Sequence, residues 1–377
     1  LKLSVILFLI LQFGPRAPLA PAETLLEPDL LRSIERGSVE GPALRVIQGS
    51  DAAAGEIVLA CSTKCEAAEW AMRKLRQAPP PARTIRIVAV DAAPQNAKAA
   101  IFIGESKGRN WQIVRGAWST ASVAEEVVEV FGRHALGSFE AKSFEDVGQP
   151  KWDGAGVPTV SILPPADASD LDRASLVAAA SAYFLATLPN AGSEALLSHL
   201  TVGAHARLAE DGRKAVAQMG NQQRAGADVL IMFGQAIERE QRRMRSVEAF
   251  MPAPIDPMLR SRIADMEKGI TSVWTSIGIT SSPFVPAAER IRGRGGEDRR
   301  VPARAGSGRL TPVEPPTAFL KSNNPADIVY ELGNFIDGKR SISDIRDAVS
   351  AEFGPLPLPS VVDYFDRLAA SGAITIK

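Results

Sequence analysis

The stretch "TIRIVAVDAAPQ", Thr84–Gln95, decides the fold. It begins as a mostly apolar strand of the kind that is buried on both faces of a sheet, and then enters a loop whose one ionisable group is Asp91. Working outward, the same alternation recurs. "EIVLAC" (Glu56–Cys61) is a second apolar run of strand length, and "EAAEWAMRKLRQA" (Glu66–Ala78) carries Ala67, Trp70, Ala71, Lys74 and Leu75 near helical spacing until Pro79-Pro80-Pro81 stops it. "AAIFIG" (Ala99–Gly104) and "VPTVSIL" (Val157–Leu163) read as further strands. "SVAEEVVEVFGRH" reads as a helix with Val123, Val127, Val130 and Phe131 on one face. Continuous apolar strands alternating with helices predict a three-layer α/β domain with a mainly parallel sheet.

After Asp172 the strand signals end. Four long helical segments follow, broken at Pro189, Gly220 and the Pro252–Pro257 cluster. The passage 281–316, with "RIRGRGGEDRRVPARAGSGR" at its centre, has almost no apolar residues to offset its chain entropy and is expected to be a flexible linker. Residues 317–377 form a separate compact unit. Ser341 and Asp344 stand at the spacing of a capping box, Ile342, Ile345 and Val349 line one helical face, and a helix carrying Val361, Val362, Phe365 and Leu368 ends at Gly372 before "AITI". Three helices and a short strand pair predict a winged-helix shape. The organisation expected is a signal peptide at 1–22, an α/β domain at 23–188, a helical tract at 189–280, the linker at 281–316 and the winged helix at 317–377.

The signal peptide is read from Lys2, the apolar run Leu3–Phe13 and the small-residue site Ala20-Pro21-Ala22. That run is well short of the ~20 residues of a membrane-spanning helix. It predicts an exported protein, periplasmic or extracellular, with no stable membrane span once cleaved. Forty-three basic against 43 acidic residues give no field toward nucleic acid. In an oxidising compartment Cys61 and Cys65 are candidates for a disulfide, or for two buried thiols, since their C-x-x-x-C spacing is not a redox pair and lacks further metal ligands.

The sheet residues carry a resemblance. "ARTIRIVAVDAAPQ" is similar to the strand of the di-zinc aminopeptidases, peptidase family twenty-eight of the metallo class, which typically reads T-I-R-F-V-A-F-x-x-E-E-Q. "AAIFIGESKG", "WDGAGVPTVSIL" and "PADASDLDRASLVAAASAYFLATL" resemble later segments of that family in order, over about Gly55 to Leu188. The resemblance implies a zinc-exopeptidase type of sheet. It also implies site positions, and each holds the wrong residue: the general base falls on Ala93, and zinc ligands fall on Pro94, near Phe102, near Gln149, and near Leu163 or Pro164. The first ligand pair would lie where Ser62 and Lys64 stand. A hydrolytic zinc pair needs imidazoles and carboxylates at ~2 Å from each ion and a carboxylate to take a proton from the bridging water. With ligands and base all replaced, the resemblance implies a pseudoenzyme without zinc that binds peptide or protein. The C-terminal unit resembles the winged-helix tail of some bacterial members and the small peptide-binding winged helix of peptide-modifying enzymes.

Other groups weigh less. His199 and His205 are six residues apart, about 240° around a helix, and do not share a face; with His134 they are read as surface or cap residues. Glu145, Asp146, Asp153, Asp167, Asp170 and Asp172 cluster near where the cleft of the resembled family would open, and are read as solvated loop charges. "GQAIERE" and the Arg239–Arg245 run are read as charged helix faces. The alternatives are an active metallo-aminopeptidase with unrecognised ligands, and a DNA-binding regulator. "SISDIRDAVSAEF", with Asp344, Asp347 and Glu352, is a poor surface for phosphate; its acids suit a protein or peptide partner, or packing on the parent domain.

Overall fold

The computed structural model describes residues 44–51, 54–61, 66–76, 78–89, 97–105, 108–147, 156–166, 172–188, 190–220, 226–251, 254–276, 297–306, 310, 313–320 and 324–377. They form two compact units. One holds the described residues from 44 to Leu200 with Arg242–Ile263, and the other holds Thr201–Gln241 with Ala264–Lys377.

The first unit is built on a seven-stranded sheet. Its strands are β1 (Val46–Ile47), β2 (Glu56–Cys61), β3 (Thr84–Ala89), β4 (Ala97–Ile103), β5 (Gln112–Val114), β6 (Glu140–Lys142) and β7 (Thr159–Leu163), in the spatial order β1-β3-β2-β4-β7-β5-β6. The central four, β3, β2, β4 and β7, run parallel to one another. β1 closes one edge antiparallel to β3, and the parallel pair β5–β6 closes the other, with β5 antiparallel to β7. Burial explains why the central strands are parallel. Ile57 through Ala60, Ala99 through Ile101, and Val160 and Ile162 are completely or almost completely buried, which requires cover on both faces.

The helices of this unit begin with α1 (Glu66–Leu75), α2 (Val123–Leu136), the short α3 (Phe144–Val147) and α4 (Asp172–Thr187). α4 packs across β2, β3, β4 and β7 and is flanked by α1 and α2, so these three share one face of the sheet. Its run Ala178-Ala179-Ala180 lets it lie close to the strands; all three residues are fully buried. On the sheet itself, Val58, Ala60 and Ala100 turn to a small cluster with Val157, joined by half-buried Val88, Ala97 and Phe102. The helix α2 starts with a capping box: Ser122 Oγ accepts from the Ala124 N–H at 3.0 Å, while Glu125 Oε1 accepts from the Ser122 N–H at 3.0 Å.

The helical segments expected after Pro189 are α5 (Asn190–Gly220), α6 (Gly226–Arg245) and α7 (Pro257–Ser276). No helix among the described residues is long and apolar enough to cross a membrane. Where α6 ends, a 3-10 turn (Ser246–Phe250) lies beside the start of β3: the buried Arg83 guanidinium donates to the carbonyls of Met251 at 2.9 Å and Ala249 at 3.3 Å. Burial lowers its pKa, with Asp51 opposing the shift.

In the second unit, residues 297–377 surround a core of their own. Phe319, Ile328, Leu332, Ile342, Ile345, Val349, Val361, Phe365 and Leu368 are its most buried members. The elements are β8 (Pro302–Arg304), α8 (Thr317–Leu320), α9 (Pro325–Asn334), α10 (Ile342–Phe353), α11 (Leu358–Ala370) and β9 (Ile374–Ile376). The expected capping box is present at α10: Ser341 Oγ accepts from the Asp344 N–H at 3.1 Å, and Asp344 Oδ2 accepts from the Ser341 N–H at 3.1 Å. β8 corrects the linker expectation. Pro302–Arg304, inside the passage read as flexible, pairs antiparallel with β9, and Arg300 is held by Asp298 and Asp366. Among the described residues of the passage, Arg299 and Arg300 find carboxylates and Arg304 a backbone carbonyl and a strand partner, which composition alone does not show.

Candidate functional site

In a parallel sheet the loops leaving the carboxyl ends of the strands form the crevice where ligands gather. Here those ends are Cys61, Ala89, Ile103 and Leu163. Several residues expected at the site, Ser62, Lys64, Cys65, Ala93, Pro94, Gln149, Asp153, Asp167 and Asp170, lie outside the described residues. Cys61 is described: it is buried as the last residue of β2.

Of the ligand positions the resemblance implies, Phe102, Leu163 and Pro164 are described. Phe102 is the penultimate residue of β4, in register with Ala60 on one side and Ser161 on the other. Its ring is half-buried and packs near Gly104, where an added Cβ would come within 2.4 Å of it. Leu163 closes β7 and, like Pro164, is buried. None of the three side chains offers a lone pair to a cation. The remaining candidates stay apart: Asp146 is exposed and accepts from Ser143 Oγ at 2.7 Å, Asp172 is exposed at the head of α4, and His134 is exposed in the last turn of α2. Among the described residues no group of three or more histidine, cysteine, aspartate or glutamate side chains could hold a metal ion.

The titratable groups that do converge lie around α2. Glu125, Glu126 and Glu129 are each 2% exposed, on the turns that the sequence pattern leaves to solvent. Arg243 Nη2 donates to Glu125 Oε2 at 2.6 Å. Arg115 reaches Glu129 through Nε at 2.5 Å and Nη2 at 3.2 Å, and Arg133 lies 3.5 Å from the same carboxylate. His199 Nε2 stands 3.2 Å from Glu126 Oε2. Burial pushes Glu129 toward the neutral acid, but Arg115, then Arg133 and Arg243, outweigh it and hold the carboxyl below its ordinary value. Burial, assisted by Arg133 and opposed by Glu129, holds the His199 imidazole below its own.

A second buried array joins α5 to α6. Glu240, fully buried, accepts from Arg207 at 2.8 Å and from Arg239 at 2.6 Å, and Arg239 also reaches Asp211 at 2.8 Å. These arrays correct two expectations. His199 is a buried residue, not a surface one. The 239–245 run and "GQAIERE" are not simply solvated faces, since Arg239, Glu240 and Arg243 are all buried. Helical periodicity assigns charges to solvent because it cannot see that two facing helices carry opposite signs.

The C-terminal unit offers a different feature. The Val301 and Lys377 backbones exchange hydrogen bonds at 3.0 and 3.1 Å, and the Ala305 N–H donates to the Ala373 carbonyl at 3.1 Å. Ala373, Thr375 and Lys377 therefore turn their backbone groups toward β8, and the N–H and C=O groups of Ile374 and Ile376 turn outward. Those outward groups have no backbone partner among the described residues. The opposite edge of the pair is closed: Pro302 has no N–H, its carbonyl accepts from Gly338 at 3.2 Å, and the Arg300 carbonyl accepts from Ile342 at 3.0 Å. The acids of α10 are engaged internally. Asp344 caps the helix, Asp347 is buried beside Arg346 at 2.8 Å, and Glu352 is 8% exposed. Of the three, Asp347 and Glu352 are withdrawn from solvent, while Asp344 is exposed.

No family model and no curated protein matches the chain. Among solved structures, a provisionally named zinc-dependent exopeptidase from Bacteroides vulgatus is similar at 16% identity and a TM-score of 0.25, over 49% of this chain and 94% of its own. The fold established is that of the strands above: an α/β unit on a mostly parallel seven-stranded sheet.

Proposed function

We propose that the chain is a non-hydrolytic, aminopeptidase-like protein that binds an extended peptide segment of a partner, and that the open edge of β9 is where the segment docks. The observation that carries this reading is the outward N–H and C=O of the partly exposed Ile376, next to a β8 edge that is already closed; the matching groups of Ile374 lie on a residue only 2% exposed. An unpaired strand edge is a template for one more strand, with main-chain hydrogen bonds supplying affinity. Phe102, at a position where the resemblance implies a zinc-binding carboxylate, supports the non-hydrolytic half of the reading. In this view residues 1–22 are removed on export, and the partner is met outside the cytosol.

Ile376→Pro tests the docking edge. Proline at 376 removes an outward donor but no β8–β9 hydrogen bond, because the ladder donors on this strand belong to Thr375 and Lys377. Binding of a panel of fluorescently labelled extended peptides to the full chain is expected to fall at least about tenfold in the variant, the equivalent of one lost hydrogen bond of about 1.4 kcal/mol, with the urea midpoint nearly unchanged. Equal binding by both proteins would reject β9 as the dock.

A further inference from the structure

We propose that the free edge of β6 is a self-association surface, on which a second copy of this chain pairs antiparallel across a two-fold axis at Ala141. The inference is independent of peptide binding at β9, which lies in the other unit. β6 is the last strand of the seven and has a neighbour, β5, on one side only. The Glu140 N–H donates to the Trp111 carbonyl at 2.8 Å and the Lys142 carbonyl accepts from the Arg115 N–H at 2.9 Å, so both residues turn their backbone groups toward β5. Ala141 between them turns its N–H and C=O outward, and it is exposed. Neither group has a backbone partner among the described residues. An exposed edge of this kind is a template for another strand.

The side chains select the occupant. In an antiparallel pair centred on Ala141, the two Ala141 residues exchange both backbone hydrogen bonds, methyl faces methyl, and Glu140 of each copy stands directly opposite Lys142 of the other. The Glu140 and Lys142 side chains are 41% and 36% exposed and already pair within the strand at 3.0 Å, while Asn110 donates to the other Glu140 oxygen at 2.7 Å. Self-pairing therefore closes a square of four charges of alternating sign on one face of the joined sheets, and opposite charges facing across a strand pair are stabilising. Sliding to the next hydrogen-bonded register in either direction sets Glu140 against Glu140, or Lys142 against Lys142, so the same charges also fix the register. Charges on an edge strand commonly guard it against pairing. A guard repels its own copy, whereas this arrangement attracts it.

Sedimentation velocity of the full chain, from low micromolar to submillimolar concentration, tests the surface. Wild type is expected to pass from monomer to dimer across that range. Glu140→Lys and Lys142→Glu each set like charges opposite one another and should weaken self-association at least about tenfold. The double variant carrying both reversals restores opposite signs and should dimerise again. An equimolar mixture of the two single variants should form mixed dimers that neither forms alone. Ala141→Pro removes an outward donor but no bond to β5, and should abolish the dimer with the urea midpoint nearly unchanged. A monomer at every concentration overturns the proposal, and so does a dimer that survives the single reversals unchanged or is not recovered by the double one. Should Ala141→Pro fail to fold, the reversals of the two exposed charges decide the matter alone.

Discussion

Glu125 carries two bonds at once: Oε2 accepts from Arg243 at 2.6 Å with each side chain 3% exposed, while Oε1 accepts the Ser122 N–H at 3.0 Å. One carboxylate therefore caps α2 and ties it to the end of α6. Removing the arginine leaves that carboxylate buried without its counter-charge. Arg243→Ala is expected to lower unfolding stability by about 3–5 kcal/mol, read from urea midpoints. Adding Glu125→Gln should recover part of the loss, because glutamine keeps an oxygen for the cap and carries no charge. Losses that simply add would show that the pair does not interact.

Arg83 tests a different kind of burial. Its guanidinium serves two carbonyls, Ala249 and Met251, rather than an acid. Arg83→Met fills similar volume but leaves those carbonyls unsatisfied, and about 1–3 kcal/mol of stability should go. Loss should appear first as faster hydrogen exchange at 246–251.

In the C-terminal unit, the Ser341–Asp344 box caps α10. Ser341→Ala is expected to cost about 1 kcal/mol, while Ser341→Asp, another good cap residue, should stay close to wild type. Thermal unfolding followed by circular dichroism separates the two.

That box was legible because it is local: two residues at fixed spacing before an apolar stripe. The central strands were legible for the same reason, each being a continuous apolar run, and β2 spans the expected Glu56–Cys61. β5 and β6 were missed, since three residues such as Gln112–Val114 or Glu140–Lys142 carry no alternation to read. β8 was missed because its partner lies some seventy residues away at Ile374–Ile376, and strand pairing leaves no mark on the composition of Pro302–Arg304. The Glu125–Arg243 pair spans 118 residues of sequence and looks, from either helix alone, like solvent-facing charge.

Glu129 gives the array an acid limit. Arg115, Arg133 and Arg243 hold its carboxyl below the ordinary value of 4.5 against the effect of burial. A depressed folded pKa means stability that is fully present above the unfolded value and is lost as pH falls through the folded one. Wild type should therefore lose stability steeply below about pH 4.5. Glu129→Gln should be less stable at pH 7, through the lost Arg115 pair, and show a shallower decline in acid. Urea midpoints at pH 7, 5 and 3.5 give both slopes, and parallel slopes would exclude Glu129 as a source of acid lability.

The non-hydrolytic reading is most exposed to a metal assay. Phe102 sits between Ala60 and Ser161 on the sheet, at the position where the resemblance implies a carboxylate, and a phenyl ring cannot coordinate zinc. After zinc loading and desalting, the full chain is expected to retain well under one ion per chain and to leave fluorogenic aminoacyl substrates uncleaved. One or two tightly held ions would overturn the reading, and substitution of Asp146, Asp153, Asp167 and His134 in turn would then find the ligands. Retained zinc without cleavage would still remove the argument from Phe102, because the ion must then be held by residues the resemblance does not align. Either form of retention would leave the Ile376→Pro experiment untouched, since the outward groups of β9 belong to a different unit from the sheet that carries Phe102.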